Sequence, residues 1–338
     1  MEYSVVRKNY SIYGIECISS GNLYAFVIER TLKLQTAFSR NGMIIQLSAF
    51  CTPRMNSFQE VWFRNASFSA ISFFDDRPGK LFDNLQHIRV AITLLCKGTY
   101  QQKIATTNYV KFYSEFRPYL FQNLRYVVSD VSRKKASVLK INATEEISVV
   151  HKVWNSKHSI KCFENTNIND NFVYYGYGYG YFGKILNKKS FFSGEKVSVS
   201  TGDKYFYIQD EFSRDVFVGI MNSSLFYWFY ITYSDGHNFT KSVIGDMPLD
   251  YPSEHFVKKE KLLVSELMDD LDKNSTIKNC QYKSTGRVSY QEFYPKKSKK
   301  IIDSLDTMFA IHYGLSEREL DCIVSYDLKF RMGDSEIN

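Results

Sequence analysis

The first hundred residues alternate between helical and strand periodicity, and this alternation restricts the fold more than any other feature of the chain. Apolar residues recur at helical spacing in residues 21–35, which predicts an amphipathic helix. Its predicted buried stripe consists of Leu23, Phe26, Val27 and Leu34. The short apolar run of residues 43–49 follows and is typical of a buried strand. A helix that leads into a buried strand favours an α/β domain.

The link between two later apolar segments indicates how the corresponding strands pair. Residues 68–74 and 89–96 both have strand character, and the link 75–88 contains Pro78 and Gly79. Parallel neighbours need a crossover connection of a dozen or more residues, usually with its own helix, and this link is barely long enough for one. We therefore predict an α/β sheet whose last two strands pair antiparallel.

The composition changes twice along the chain, which predicts three regions. Residues 1–125 carry the alternation of helix and strand. Residues 126–250 consist of short, polar segments rich in Ser, Asn and Lys, as in a separate α+β domain. Residues 251–338 are charged and helical apart from a polar stretch over residues 274–286. The last helix is predicted to begin at a capping box formed by Ser316 and Glu319.

The 338 residues carry a net charge of +7, and the charge is unevenly distributed. Residues 133–189 contain ten lysines and arginines but four acidic residues. The chain is also 16% aromatic, nearly all of it Phe and Tyr. Clustered cations attract polyanions, and interleaved aromatic rings offer faces on which bases stack. These features favour nucleic-acid binding, and the alternative is a solvated basic surface.

The segment FVYYGYGYGYFG, residues 172–183, is the most unusual part of this basic region. If it is extended, its period of two places four tyrosines on one face and three glycines on the other. The four tyrosines are Tyr175, Tyr177, Tyr179 and Tyr181. Such a face can stack on bases, or it can be a packed strand face in the core.

Several function classes lack their sequence signatures. Residues 178–183 match GxGxxG, and Asp203 follows about 20 residues later, where a ribose-binding acid would lie. A dinucleotide site is nevertheless not predicted, because no apolar strand precedes the match and no helix opens through it. P-loop, zinc-protease and nucleophile-elbow motifs do not occur. The six cysteines are far apart, which predicts neither a disulfide framework nor a metal site.

Membrane insertion and secretion are not expected either. The longest apolar runs, residues 90–96 and 225–231, are much shorter than the roughly 18 residues of a membrane-spanning helix. Residues 1–10 contain Arg7 and Lys8, and no apolar stretch of a secretory signal follows them. The expected location is therefore the cytoplasm, with no membrane partner.

Four segments together resemble the back half of adenine-N6 DNA methyltransferases from restriction–modification systems, including fused type IIG enzymes. GNLYAFVIERTLKL with NGMIIQLSAF resembles the helix and strand after the catalytic motif, and ISFFDDRPGKLFDNLQHIRVAITLLC resembles the paired final strands. NSSLFYWFYITYSDGHNFTK resembles the C-terminal part, and IIDSLDTMFAIHYGLSERELDCIVSYDLKFRMG resembles the closing helices. The segments occur in the family's order and cover most of the chain.

The resemblance implies methyl transfer from S-adenosylmethionine to adenine in duplex DNA, with the adenine flipped out of the stack. The family binds the cofactor at an FxGxG-like loop and holds the adenine amino group with a [DNS]PP[YF] motif, and neither occurs here. No catalytic residue is therefore expected, and S-adenosylmethionine is expected only in the complete enzyme. By resemblance, the pocket edge near the cofactor contains Asn22, Leu23 and Tyr24, which can equally be the start of a core helix.

The resemblance also implies that residues 126–250 recognise double-stranded DNA. Phosphate contacts are predicted for Arg133, Lys134, Lys135, Lys184, Lys188 and Lys189, since point charges need reach rather than fixed geometry. Base contacts are predicted for the four tyrosines and for the loop residues Asp235, His237 and Asn238, with Lys241 as the basic exit of that loop.

In the family's sheet order, the strand that resembles residues 43–49 pairs with a fourth strand that this chain lacks. Its edge would be left open, and an open apolar edge is a site of pairing or aggregation. We therefore expect an N-terminal methyltransferase half as a partner, from the same gene or from a separate chain, and no activity without it. The alternative is a stand-alone DNA-binding specificity protein without catalysis. A nuclease has no support, because no PD-(D/E)xK-like spacing occurs.

Overall fold

The structure is a computed structural model that describes residues 13–84, 87–98, 102–209 and 211–333. The described residues form two compact units. The first runs to Ile147 and also contains Ile231–Asp235, and the second contains Ser148–Tyr230 and the chain from Gly236 onward. The division falls inside two helices, α3 (Thr144–Val153) and α5 (Ser224–Tyr233).

A five-stranded mixed sheet forms the centre of the first unit, so the fold is mixed α/β. Its strands are β1 (Arg40–Gln46), β2 (Ala66–Phe74), β3 (Val90–Lys97), β4 (Lys103–Val110) and β5 (Val127–Val128). They lie in the order β1-β3-β2-β4-β5, and β3 runs antiparallel to both β1 and β2. The predicted antiparallel pairing of the segments 68–74 and 89–96 is confirmed. β4, which is parallel to β2, and β5 lie outside the predictions.

Two helices of this unit, α1 (Leu23–Leu34) and α2 (Asn56–Asn65), pack through aromatic contacts. The Tyr24 ring of α1 meets the Phe58 ring of α2 edge-on, with 6.2 Å between centroids. On the sheet side of α2, the indole N–H of Trp62 donates to Ser69 Oγ of β2 at 3.0 Å. One face of the sheet is therefore covered by α2, and α1 packs behind it.

The buried stripe of α1 differs from the prediction. Val27 and Leu34 are 57% and 69% exposed, whereas Ile28 and Leu32 are buried. The reason is Glu29, which lies on the buried side because its carboxylate accepts the backbone N–H groups of residues 16 and 17, each at 2.9 Å. Burial opposes the ionisation of Glu29, yet Lys33 and these N–H groups lower its pKa to about 2.

The opposite face of the sheet carries an exposed apolar patch, which consists of Ile44, Phe68 and Leu94. These side chains are 53%, 40% and 58% exposed and come from β1, β2 and β3. The register places them on one face, because Leu94 lies opposite Gly42 and Phe68 lies opposite Cys96. β1 also forms one end of the sheet, and no strand among the described residues pairs with its outer edge.

The second unit is mainly helical and contains two small sheets. Besides parts of α3 and α5, its helices are α4 (Glu211–Asn222), α6 (Lys241–Asp246), α7 (Glu254–Lys273), α8 (Lys299–Tyr313), α9 (Glu317–Ser325) and α10 (Leu328–Met332). β8 (Phe172–Tyr175) pairs with β10 (Lys204–Tyr207). β9 (Phe192–Gly194), β11 (Thr276–Tyr282) and β12 (Gly286–Glu292) form a sheet in the order β11-β12-β9. The predicted capping box of Ser316 and Glu319 is confirmed at the start of α9.

Helix α5 is apolar all round and is buried accordingly. Its first backbone N–H groups are satisfied from the C-terminal helices, since Asp306 Oδ1 of α8 accepts the N–H of Ser224 at 2.7 Å. Arg331 of α10 donates from Nη2 to Ser224 Oγ at 3.1 Å. Burial raises the pKa of Asp306 to about 6, although these partners oppose the shift. Asp306 and Arg331 are thus part of the core of the second unit.

Among the residues that the structure describes, no helix combines the length and the apolar character needed to cross a membrane.

Candidate nucleic-acid interface

A cavity of about 560 Å³ opens in the second unit, and residues of both small sheets line it. Six aromatic side chains contribute to its wall: Tyr174, Tyr177, Phe191, Phe192, Tyr282 and Tyr290. We call it the aromatic cavity. Its volume lies within the range of about 300–1,000 Å³ typical of small-molecule sites.

One wall of the aromatic cavity is the β11-β12-β9 sheet. Tyr290 of β12 lies opposite Phe192 of β9, and Val288 lies two residues away on the same face of β12. Tyr282 ends β11 opposite Gly286, which has a φ of +71° and lies against the Glu195 carboxylate. The pairing of short strands therefore assembles aromatic rings that are far apart in sequence.

The other wall is formed by β8, the residues that follow it, and the loop before β10. The Tyr174 hydroxyl donates to Asp203 Oδ1 at 2.6 Å, and burial together with this carboxylate raises the pKa of Tyr174. The Lys204 ammonium lies 4.6 Å from the centre of the Tyr177 ring, a cation–π contact. Asp203 Oδ2 is buried and has no hydrogen-bond partner among the described residues. An acceptor without a donor thus lies in the wall of a cavity that is otherwise aromatic.

A second depression of about 600 Å³ adjoins the aromatic cavity and shares Ser190, Phe191 and Phe192 with it. Lys188 and Lys189 line this depression, which we call the lysine groove. Lys188 forms an ion pair with Asp272, and both Lys188 and Lys189 are exposed. Lys184, also predicted to bind phosphate, is exposed in the same unit. Two predicted phosphate-binding lysines therefore border the aromatic residues.

The four tyrosines of the segment 172–183 do not share one face. Tyr175 and Tyr179 are each 2% exposed, whereas Tyr177 is 60% and Tyr181 is 37% exposed. The strand ends at Tyr175, and the chain then turns through Gly180 at a φ of +71°. Tyr179 donates to the Met221 carbonyl at 2.6 Å inside an aromatic cluster. The prediction of a common face is wrong, and the packed alternative describes Tyr175 and Tyr179.

The other predicted phosphate contacts, Arg133, Lys134 and Lys135, belong to the first unit. They lie at the hairpin of β6 (Arg133–Lys134) and β7 (Ser137–Val138). The Arg133 guanidinium pairs with Glu60 at 2.8 Å and lies 5.2 Å from the Phe63 ring. Arg133 therefore has a structural role, whereas Lys135 lies at the exposed turn with a φ of +51°.

The predicted loop after α5 is partly exposed. Asp235 is half-buried, and His237 and Asn238 are exposed. The residues just before the loop are held in the first unit, because the buried Lys140 Nζ donates to the Thr232 carbonyl at 2.8 Å. Burial lowers the pKa of Lys140 to about 8. Lys241, the predicted basic exit, pairs with Glu164 at 2.5 Å in the second unit.

The residues assigned to the cofactor pocket edge lie at the start of α1. Asn22 occupies the N-cap position, and Leu23 and Tyr24 form the first turn. The Tyr24 hydroxyl donates to Met55 Sδ at 3.7 Å, and burial raises the pKa of Tyr24 to about 12. These half-buried residues start a core helix, which was the alternative reading of them.

Most of the aromatic cavity was not predicted from the sequence. Tyr174, Phe192, Tyr282 and Tyr290 were missed because their strands are short and most of them are far apart in the sequence. The sequence suggested for Asp203 only the role of a ribose-binding acid, and that role needs a helix after Gly183. No helix lies between Gly183 and β9. The useful signal was the density of aromatic residues beside the lysines at 184, 188 and 189.

Comparison with known proteins adds no assignment. The chain matches no protein-family model, and no curated protein matches it. A function must therefore be inferred from the residues and their geometry.

Proposed function

We propose that this chain is the back half of an adenine-N6 DNA methyltransferase. In this proposal the first unit supplies the last strands of the catalytic Rossmann-like sheet, and the second unit recognises double-stranded DNA. The observation that carries the proposal is the position of β3, which runs antiparallel between β1 and β2, while no strand in the described part of the chain pairs with the outer edge of β1. The resemblance implies an antiparallel final strand and an open edge at these segments.

The open edge and the apolar patch support a missing protein half. An unpaired strand presents backbone N–H and C=O groups to any strand that can align with it. Ile44, Phe68 and Leu94 are exposed together on one face of the sheet, and a contiguous exposed apolar patch is typical of a surface that another protein covers. A polypeptide that adds strands beside β1 and helices over the patch would satisfy both features.

The second unit supports DNA binding through charge and aromatic surface. Lys188 and Lys189 border the cavity, and ammonium groups bind phosphates as point charges with little geometric demand. Phe191 exposes a large part of its ring in the same groove, and Tyr177 and Tyr282 expose theirs in the adjoining cavity. Lysines next to exposed rings are the combination that nucleic-acid-binding surfaces use.

The described residues fit S-adenosylmethionine only in part. Asn22, Leu23 and Tyr24 can supply one edge of a pocket, but Tyr24 is already packed against Met55 and Phe58. The glycine-rich loop and the tetrapeptide of the family are not in the sequence. We therefore assign cofactor binding and methyl transfer to the complete enzyme, and DNA recognition to this chain.

The proposal is tested with the purified chain and a partner. The chain alone should bind duplex DNA with an affinity that falls steeply with salt, and it should bind S-adenosylmethionine weakly in calorimetry. Adding a polypeptide that carries the FxGxG-like and NPPY-like motifs, encoded upstream of Met1 or nearby, should restore adenine methylation. A monodisperse monomer that binds the cofactor tightly would contradict the missing half. Absence of duplex binding at low salt would contradict DNA recognition.

A stand-alone DNA-binding specificity protein is the second candidate. It is favoured by one observation, namely that the aromatic cavity and lysine groove are built from residues of the second unit alone. The two candidates differ in one result. Methylation after mixing with a matching front half supports the first, and unchanged DNA with intact binding supports the second.

A further inference from the structure

We propose that the aromatic cavity binds a single unstacked nucleobase that carries an exocyclic amino group, while the lysine groove holds the adjoining phosphates. The inference rests on the proposed DNA binding of the second unit and extends it from duplex recognition to one extruded or single-stranded nucleotide. Three features support the inference: the exposed rings, the carboxylate oxygen without a hydrogen-bond donor, and the adjoining lysine groove.

The exposed rings provide stacking surfaces. Tyr177 is 60% and Tyr282 is 48% exposed although they line a cavity, so a large part of each ring is accessible to a ligand. Lys204 lies over the Tyr177 ring, and its Nζ also donates to the Phe239 carbonyl at 3.4 Å. The ring is thereby positioned before any ligand arrives. A base gains most of its binding free energy in such sites by stacking on aromatic rings.

The acceptor is Asp203 Oδ2. Its partner atom Oδ1 already accepts the Tyr174 hydroxyl at 2.6 Å, which fixes the carboxylate in the wall. Oδ2 is buried without a hydrogen-bond partner among the described residues, and a buried polar atom in this state is costly. An amino group on a ligand would satisfy it. Carboxylates accept hydrogen bonds from base amino groups, such as N4 of cytosine.

The same carboxylate discriminates against thymine. Thymine has no exocyclic amino group, and its ring N–H lies between two carbonyl oxygens that repel a carboxylate. Cytosine and thymine have rings of the same size, so stacking differs little between them. A preference for cytosine over thymine is therefore the signature expected of Asp203.

The lysine groove can hold the phosphate of such a ligand. It shares Ser190, Phe191 and Phe192 with the aromatic cavity, so a base in the cavity would place its backbone beside Lys188 and Lys189. A cationic ligand, which aromatic rings and a carboxylate can also bind, is disfavoured by these lysines and by Lys204. The charge distribution thus favours a nucleotide over an ammonium compound.

The test measures binding of labelled oligodeoxycytidine and oligothymidine strands of equal length by fluorescence anisotropy. The chain should bind the cytidine strand about tenfold more tightly, as expected for one hydrogen bond to a charged acceptor. Asp203→Asn keeps an oxygen for Tyr174 but presents an amide N–H₂ where Oδ2 was, so it should abolish the preference. Tyr174→Phe leaves the Asp203 carboxylate in place, so this variant should retain the preference for the cytidine strand.

Aromatic variants separate stacking from base selection. Tyr177→Ala should lower the affinity for both strands about tenfold without changing the preference between them, because stacking does not depend on the base. Tyr251→Ala removes an exposed tyrosine of the same unit outside the cavity and should leave both affinities unchanged. Thermal unfolding of each variant identifies any that fail to fold.

Three outcomes overturn the proposal, and they are distinguishable. Equal affinity for the two strands, or a preference that survives Asp203→Asn, removes the base site while duplex binding and the proposed function stand. Saturable binding of choline that displaces neither strand assigns the cavity to a cation. Failure to bind any DNA at low salt overturns the proposed function together with this inference.

Discussion

The first unit exposes apolar side chains on one face of a sheet, whereas the second exposes aromatic rings around a cavity. Ile44 and Leu94 of the first unit are aliphatic, and the lysines and arginines nearest in sequence, Arg40 and Lys97, lie at the strand ends. Tyr177 and Phe191 of the second unit lie beside lysines in space. The first surface is mainly aliphatic, with Lys103 opposite Phe68 at its border, whereas the second consists of aromatic rings among several lysines.

Exposed apolar surfaces of different chemistry suit different partners. Aliphatic side chains on a sheet are stabilised when another protein surface excludes water from them. Aromatic rings with adjacent ammonium groups suit bases and phosphates. The comparison is therefore a reason to propose a protein partner for the first unit and a nucleic-acid partner for the second, and each proposal can be tested separately.

The largest effect is expected from charges on the apolar patch. Ile44→Lys with Leu94→Lys should weaken association of the first unit with itself or with a front half by about 3–5 kcal/mol, because two apolar side chains lose their burial on docking. Sedimentation velocity over a concentration series measures the change. DNA affinity and the free energy of unfolding should stay nearly the same, since both side chains are exposed.

A control uses two apolar residues of the second unit that are more exposed than Ile44 and Leu94. Leu262→Lys on α7 and Ile311→Lys on α8 add the same charge outside the patch. If this pair reduces association as much as the first, the effect is one of net charge, and the apolar patch is not a docking surface.

The next effect concerns the lysines of the second unit. Lys184→Ala, Lys188→Ala and Lys189→Ala together should weaken duplex binding by about 2–3 kcal/mol at low salt, and the salt slope should fall by about 0.9 per lost phosphate contact. Anisotropy titrations at several salt concentrations give both quantities. Replacing Lys258, Lys259 and Lys261 of α7 removes the same charge elsewhere. Equal losses in the two triple variants would show a nonspecific charge effect.

A smaller effect is expected inside the second unit, where Glu260 is buried. Both of its carboxyl oxygens lack a hydrogen-bond partner among the described residues, and it packs against Gly219 of α4, where a Cβ would lie 2.2 Å from Oε1. Burial, and secondarily Asp215, raises the pKa of Glu260 well above its usual value. The folded chain therefore binds more protons than the unfolded chain, and stability falls as pH rises above the usual Glu range.

Glu260→Gln should remove that pH dependence, because the amide does not ionise. Above neutral pH the variant should be more stable than the wild type by about 1–2 kcal/mol, and the difference should shrink on acidification. Urea unfolding at several pH values measures it. Glu266→Gln on the exposed side of α7 is the control. The same gain in both variants would assign the effect to the surface charge of the helix.

Local features of the sequence predicted part of the fold. The antiparallel pairing of β2 and β3 followed from the length of one link, and the capping box of α9 followed from two residues. β4 was missed because its polar residues are satisfied by tertiary contacts: Thr106 Oγ1 donates to the Ile141 carbonyl at 2.8 Å, and Thr107 Oγ1 accepts the Phe73 N–H. Such tertiary hydrogen-bond partners cannot be recognised from the periodicity of the sequence.

The candidate site was predicted less well, for a related reason. The polar stretch over residues 274–286 contains β11, whose residues are exposed on both faces and therefore show no alternation. Tyr282 and Tyr290 reach the cavity only through the pairing of β11, β12 and β9. The lysines could be proposed because a cluster of charges can be recognised in the sequence itself, whereas the strand pairing that forms the cavity cannot.

The smallest effect separates a buried tyrosine from an exposed one in the same segment. Tyr179→Phe removes the hydroxyl that donates to the Met221 carbonyl at 2.6 Å near the end of α4, and should lower the free energy of unfolding by about 1 kcal/mol. Tyr177→Phe should leave it unchanged, because that side chain is exposed.

The pH dependence of these two variants should differ as well. Burial raises the pKa of Tyr179, so the folded chain keeps its phenol proton at alkaline pH where an unfolded tyrosine loses it. Wild-type stability should therefore fall with rising pH above about 10, the usual tyrosine pKa. The stability of Tyr179→Phe should fall less steeply with pH, and the stability of Tyr177→Phe should change with pH as that of the wild type does. If both variants follow the wild type, Tyr179 is not held in the core, and all four tyrosines return as candidates for contact with DNA.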